Sequence, residues 1–306
     1  MASRSLARLG ESVPVVFGVV MIVFLLIHLI PGDPVEIMLG ESAVPALKEE
    51  LRRELRLDRP LAEQYADYLS GLARGDLGTS FRSREPVARE ILSRLPATLL
   101  LALASLVVAL AVSIPLGVLS ALRPRSAVDH LCGFFSMLGL SMPNFWLGPL
   151  LILFFSIRLG LLPVGGWGGL SHLVLPAVTM GTGMAAILTR LLRSSLLEEI
   201  RREYVQAAIA RGLSRRDAVL RHALRNALIP VLTVLGLQFG ALLAGSVITE
   251  TIFSWPGVGR LLIQAIDARD YPLVQGCVLF IALFTVAINR VTDLLYSRLD
   301  PRIRLE

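Results

Sequence analysis

Charged residues make up only 18% of this 306-residue chain, hydrophobic ones reach 54%, and the mean hydropathy is +0.67. Soluble chains average about 25% charged residues, so a single soluble domain is excluded, and the lack of period-two alternation disfavours a membrane β-barrel. The net charge of +6 would point to nucleic acid in a soluble protein, but no nucleic-acid-binding module matches and no basic face is interleaved with aromatics.

A stretch of about 20 apolar residues crosses a bilayer as a helix, and six such stretches are expected spans. They run about Val13–Ile30, Ala97–Leu122, Leu131–Ile157, Leu173–Leu192, Leu228–Thr249 and Leu273–Leu295. The first ends at Pro31-Gly32-Asp33-Pro34 and lacks an Ala-x-Ala cleavage site, which reads as a retained span. His28, near its end, reads as a helix-end cap in preference to a solute contact.

The segment 31–95 carries two amphipathic helices. In Pro45–Asp58 the residues Leu47, Leu51 and Leu55 form one stripe, stopped by Pro60, and Leu61–Leu72 sets Tyr65, Leu69 and Leu72 on one face. Both are expected at the outer membrane–water boundary or as a small packed cap. Within span three, Pro143 and Asn144 in Ser141-Met-Pro-Asn-Phe-Trp146 are expected to kink the helix or to serve packing. Gly165-Gly166-Trp167-Gly168-Gly169 marks an external turn, with Trp167 suited to the interface.

In span four Met180 and Met184 share a face beside Gly181 and Gly183, read as close helix packing over a soft metal-ligand stripe. Gly181-x-Gly183-x-x-Ala186 fits a dinucleotide fingerprint only superficially, because no strand precedes it. Glu250, after span five, reads either as an entrance-lining group or as an interfacial one. Arg290 and Asp293, three apart near the end of span six, either pair or let Arg290 snorkel. Cys132 and Cys277 have neither CxxC nor zinc-like spacing.

Arginine and lysine counts set the orientation. Segments 1–12, 123–130, 193–227 and 296–306 hold 15 of these residues, against 3 in 158–172 and 250–272, so both termini are expected to be cytoplasmic. The arginine-rich 193–227 segment then lies inside the cell. It opens with polar Glu198, Glu199, Arg201, Arg202 and Glu203, continues through small Ala207, Ala208 and Ala210, and turns at Gly212. Ser214 is an N-cap candidate with Asp217 three residues on, and Pro230 leads into span five. A short knob tethered at both ends to spanning helices can transmit rigid-body movement; an ordinary basic loop is the alternative.

The stretch Glu203–Pro230 resembles the EAA loop of ATP-binding-cassette (ABC) importer permeases. Over nearly its whole length the chain is similar to the dipeptide, oligopeptide and nickel importer permease family. Carrying that likeness are Leu29-Ile-Pro-Gly-Asp-Pro-Val35, Gln64-Tyr65 with Tyr68-Leu69, Gly75-Asp-Leu-Gly78, Arg94-Leu-Pro-Ala-Thr98, Phe253-Ser-Trp-Pro-Gly-Val-Gly259, Arg269-Asp-Tyr-Pro272, Gln275-Gly276 and Asp300-Pro-Arg302. It departs where the wider class has Glu-Ala-Ala: here stand Gln206-Ala207-Ala208, so a docking role carries over but a charge at 206 does not, and Glu203 or Arg211 is left to supply a charged contact.

The resemblance implies an all-α polytopic membrane protein of the type I ABC importer permease fold, with six transmembrane helices and a small helical extracytoplasmic segment. Its divisions would be 1–30 (cytoplasmic N-terminus and first helix), 31–95 (extracytoplasmic loop) and 96–306 (permease core with coupling loop 193–227). ATPase coupling would fall to Glu203, Tyr204, Gln206, Ala207, Ala208, Arg211, Gly212 and Leu213, with Asn144 and Glu250 as candidate pathway or gate residues. Implied partners are a second homologous permease, two cytosolic ABC ATPases, an extracytoplasmic solute-binding protein and the bilayer of a bacterial inner membrane, without nucleic acid. No catalytic, cofactor or metal residue is expected in this chain, and ATP and Mg would be bound by the ATPases. Independently, a Walker A loop needs a lysine beside its glycines, and the single lysine, Lys48, lies between Leu47 and Glu49.

The implied cargo is a dipeptide or oligopeptide, with nickel chelates, glutathione or another small solute as alternatives on the same machinery. A stand-alone secondary transporter would show buried charges and broken helices, of which the sequence gives little sign. An intramembrane hydrolase would need a paired nucleophile and base or HExxH spacing, and neither is present.

Overall fold

The computed structural model describes residues 18, 20–25, 33–40 and 43–299. Among them everything regular is helical apart from one isolated antiparallel bridge, Thr79 to Pro86. Two compact units emerge: Met1–Thr98 with Pro256–Val286, and Leu99–Trp255 with Ala287–Glu306.

In the first unit α1 spans Pro34–Leu39, started by the Asp33 side chain accepting from Val35 N at 2.9 Å. Helix α2, Pro45–Glu54, is shorter than the leucine stripe implies. Arg56 turns to φ +57°, and Leu57 N donates to the Arg52 carbonyl, a left-handed cap that ends the helix before Pro60 can. Leu51 alone of the stripe is buried; Leu47 is exposed and Leu55 half-buried. Arg52 pairs with Asp33 and Glu49, joining α1 to α2. Helix α3, Leu61–Ala73, half-buries Tyr65, Leu69 and Leu72 as expected. Tyr65 and Tyr68 close over the buried Phe24 ring, at centroid distances of 5.0 and 6.3 Å. Burial, followed by the neighbouring Tyr65, pushes the Tyr68 phenol up to about 12.

Helix α4, Val87–Leu122, starts ten residues before the expected span and carries Pro96 within it. In this unit its first turns pack Val87 and Ile91 against α11, Val258–Asp267, and the start of α12, Tyr271–Leu299. One buried carboxylate organises the neighbouring loop. Asp270 accepts from the Ser80 hydroxyl, from Phe81 N at 3.1 Å and Arg82 N at 3.2 Å, and from Leu273 N at 3.3 Å in the first turn of α12. Negative charge at a helix N-terminus is favourable in itself.

The second unit holds the rest of α4 together with α5 (Ala127–Ser141), α6 (Asn144–Leu151) and its π-helical continuation Ile152–Arg158. These are followed by α7 (Leu170–Glu199), α8 (Glu203–Ala210), α9 (Arg215–Ala218) with π-helical Val219–Ala223, and α10 (Leu224–Ile252). Helix α7 is the hub: it packs on α10, α5 and α6. Leu188, Leu192 and Leu196 are fully buried against Ala109 and Ala121 of α4, Val205 of α8 and Ala227 and Val231 of α10. Small residues let the backbones close up. A Cβ on Gly181 would sit 2.7 Å from the Ser105 carbonyl of α4. Near the other end of α7, Arg193 grips Asp129 of α5 through two bonds of 2.7 Å, and the same carboxylate accepts from the Ser120 hydroxyl and from Arg125 N at 2.8 Å.

Among the described residues four helical runs are long and apolar enough to cross a membrane: Val87–Leu122, Leu170–Glu199, Arg215–Gly240 and Tyr271–Arg290. The third expected span is not one straight helix: α5 and α6 meet at 105°. Pro143 has no N–H and forces Met142 out of the helical region, to φ −91° and ψ 110°. Counted as one span, the bent pair makes five. Most of the expected first span, with His28, lies outside the described residues, as do both termini, Asp300-Pro-Arg302 and the Asp293 side chain; residues 18 and 20–25 of that span are helical.

Replacing Asp270 by alanine strands four donors on one buried site and should cost about 2–4 kcal/mol. Limited proteolysis of the purified protein is then expected to cut between residues 79 and 86 well before wild type, with Asp270→Asn intermediate. Equal cutting of all three would show that this carboxylate does not hold the loop.

Candidate functional site

The basic segment after α7 is built as a small rigid unit. Helix α8 buries Val205 completely in the core and leaves Glu203, Gln206, Ala210 and Arg211 exposed, with Ala207, Ala208 and Leu213 half-buried. Glu203 lies in its first turn, complementing the helix dipole. Two side chains tie α8 back to its neighbours. The Tyr204 hydroxyl donates to Glu199 and accepts from Asn226 Nδ2 at 2.9 Å, joining the end of α7 to the start of α10. Burial and the Glu199 bond raise the Tyr204 phenol above its ordinary value, so it stays a donor at neutral pH. Gln206 Nε2 donates to the Ile200 carbonyl at 2.7 Å. A carboxylate, which only accepts, cannot make that bond.

Gly212 ends α8 at φ +97°, with Leu213 N donating to the Ala208 carbonyl at 3.3 Å. A Cβ at Gly212 would meet nothing within 4 Å, so its surroundings within the chain are open. Ser214 Oγ accepts from Asp217 N at 3.1 Å and starts α9, the N-cap expected from the sequence. Among the described residues Glu203 and Arg211 form no ion pair, whereas Arg202 pairs with Glu198 and Glu199. The structure therefore brings Tyr204, Gln206 and Gly212 into one braced turn and leaves Glu203 and Arg211 pointing outward as free charges.

The other two candidates separate. Asn144, at the first position of α6, is half-buried and lines a cavity of about 210 Å³ with Met180, Gly183 and Met184 of α7 and Gln238 of α10. Glu250 is not among the lining residues; it is fully buried in the last turns of α10, with Ser246 Oγ donating to it at 3.0 Å. Beside it Trp255 N donates to the Glu250 carbonyl at 2.8 Å, Gly166 N donates to the Phe253 carbonyl at 2.7 Å, and the Trp167 ring packs against Trp255, tilted by 59° with centroids 4.9 Å apart. The glycine turn Gly165–Gly169 is thus anchored, not loose. Among the described residues no group of three or more His, Cys, Asp or Glu is placed to hold a metal. Sequence reasoning missed Asn226 and Gln238: a lone polar residue on a long apolar helix carries no partner signal until the helices are packed.

Comparison with known proteins covers almost the entire chain. Residues 113–305 match the family described as "Binding-protein-dependent transport system inner membrane component", and residues 3–102 match its N-terminal counterpart. The di/tripeptide transport system permease protein DppB of Pseudomonas aeruginosa is 46% identical over 333 residues, covering 99% of each chain. The dipeptide permease DppB of Escherichia coli K12 is 43% identical, covering 98% of each. The glutathione transport system permease protein GsiC of the same strain is 41% identical, covering 99% of each. Among solved structures, the MetNI methionine ABC transporter superposes at TM-score 0.57 with 19% identity, over 69% of this chain and 96% of the other. An amino acid ABC transporter does so at 0.56 with 15% identity, over 69% and 94%. At such identities these structures speak for the fold alone.

Proposed function

Because the chain belongs to the family of binding-protein-dependent transport system inner membrane components, multi-pass permease subunits of ABC importers, we propose that it forms the translocation pathway for small peptides. The observation that carries this reading is the 46% identity to a di/tripeptide permease over 99% of both chains. Glutathione, itself a peptide, is the second reading, supported by the 41% identity to GsiC.

In this reading transport proceeds by alternating access. A second homologous permease completes the pathway, an extracytoplasmic binding protein delivers cargo, and two cytosolic ATPases bind ATP and Mg and hydrolyse the nucleotide. The segments would divide as 1–30, 31–95 and 96–306, with both termini in the cytoplasm, a placement supported by 15 basic residues against 3 in the opposed short loops. The coupling residues would be Glu203, Tyr204, Gln206, Ala207, Ala208, Arg211, Gly212 and Leu213. Supporting this is the bracing of α8 to both α7 and α10 while its outer face stays open. A push on α8 would then be passed to two spanning helices at once. Asn144, at the cavity, is the stronger pathway candidate; Glu250, fully buried, would act as a gate by releasing Ser246.

Orientation is tested by cysteines at Ser83, Gly168 and Ser214 in intact cells with an accessible outer face. The first two are expected to react with an impermeant thiol reagent and the third is not; external labelling at Ser214 would overturn this topology.

Coupling is tested by Gly212→Trp and Ala207→Arg. At Gly212 a side chain is strained by about 1–2 kcal/mol and projects into the space a docked ATPase would fill. Uptake and ATPase co-purification should both fall at least about tenfold, the equivalent of 1.4 kcal/mol, with membrane abundance unchanged. Gln206→Ala should be mild, since one part-buried neutral bond from an exposed side chain is worth about 1 kcal/mol. Normal uptake and assembly in both Gly212→Trp and Ala207→Arg would make the segment a mere connector.

A further inference from the structure

We propose that the cavity between α5, α6, α7 and α10 is a contact site for the peptide bond of a solute in transit, with Asn144 and Gln238 as the groups that recognise it. This rests on the peptide-permease reading and adds to it a place and a chemistry. Four observations carry it.

The first is depth. Met180, Gly183 and Met184 lie near the middle of α7, Leu170–Glu199, and Gln238 is the central residue of α10, Leu224–Ile252. The cavity therefore sits halfway along two long apolar helices. The second is the broken backbone beside it. Met142 and Pro143 interrupt the helix at 105° immediately before Asn144. Irregular backbone at membrane depth persists where it is buried in protein or lines a water-filled cavity.

The third is the character of the polar groups. None of the lining residues is ionisable, and the two strongly polar side chains are both carboxamides. Among the described residues neither has a hydrogen-bond partner, although each offers two donors and an acceptor. A secondary amide presents one N–H and one C=O, which a carboxamide can match with its own acceptor and donor. Carboxylate and ammonium termini would find no counter-charge here, so the feature read is the one every peptide shares. The fourth is tolerance. The remaining wall is apolar and includes two methionines, whose unbranched thioethers adapt to differently shaped neighbours. A site that grips the backbone and accommodates varied side chains suits a pathway that passes cargo on.

The test uses the complete importer (this chain, its second permease, both ATPases and the binding protein) in proteoliposomes. Uptake of radiolabelled alanyl-alanine is compared with alanyl-lactate, whose ester oxygen replaces the amide N–H, each at saturating binding protein. Asn144→Leu and Gln238→Met, close in shape but without the amide, are expected to lower alanyl-alanine uptake about three- to tenfold and to narrow the wild type's preference for amide over ester. Gln238→Asn should recover part of that preference. Gly183→Val is an independent probe: a Cβ there has its nearest neighbour at 3.9 Å, so the added bulk enters the cavity without a clash at its root, and uptake of both ligands should fall.

Wild-type uptake in all three variants that remove the amides or fill the space would overturn the proposal. So would equal loss for amide and ester in the Leu and Met variants, which would mark these residues as structural. Should either fail to assemble, Gly183→Val still decides, because normal uptake with it leaves the cavity off the pathway. Failure of the wild type to carry alanyl-alanine at all would instead sink the peptide reading.

Discussion

Inside a bilayer the backbone has no water to bond to, so each N–H and C=O must find its partner within the chain. That constraint shapes this molecule more than any single contact. It explains why the apolar runs are long helices such as Val87–Leu122 and Leu170–Glu199. It also explains why these helices associate through Gly181, Ala109 and Ala227 rather than through polar seams. Strong polar interactions are pushed to the helix ends: Asp270 caps α12, and Asp129 holds Arg193, Ser120 and the Arg125 backbone. Among the described residues the helix break at Met142–Pro143, where the constraint is relaxed, adjoins a cavity.

The braced turn around α8 follows from the opposite situation. In water a pair of short helices has little reason to stay put, because exposed single bonds are each worth about 1 kcal/mol. Here Val205 is locked in the core, Tyr204 bridges Glu199 and Asn226, and Gln206 fastens to Ile200. Several modest contacts to two anchored helices hold what none would hold alone. The neutral residue at 206 also acquires a reason. It serves as a donor to the Ile200 carbonyl, a bond that a glutamate carboxylate could not make.

Much of this was legible in the residues. Apolar run lengths gave the spanning helices, the Tyr65–Leu69–Leu72 face gave α3, and the Ser214–Asp217 spacing gave the start of α9. The glycine at 212 announced its left-handed turn. What escaped notice has physical causes. Pro143 signalled a kink, but only packing decides that the kink becomes a 105° break. Helix α2 stops early because Arg56 adopts a conformation the sequence does not favour. Glu250 lay at the edge of an apolar run, where hydropathy cannot separate a burial inside the bundle from a place at the interface. Gln238 became visible only once α7 and α10 stood side by side.

In the proposed function this chain is a passive pathway, moved by ATP hydrolysis on partner subunits. Proteoliposomes holding the chain with its second permease and both ATPases, supplied with loaded binding protein, test this directly when ATP and each component are omitted in turn. The account predicts concentrative dipeptide uptake only when every component and ATP are present, and no ATP hydrolysis by the chain alone. Sustained hydrolysis by the isolated chain, free of contaminating ATPases, or concentrative uptake by it without ATP, would contradict the account.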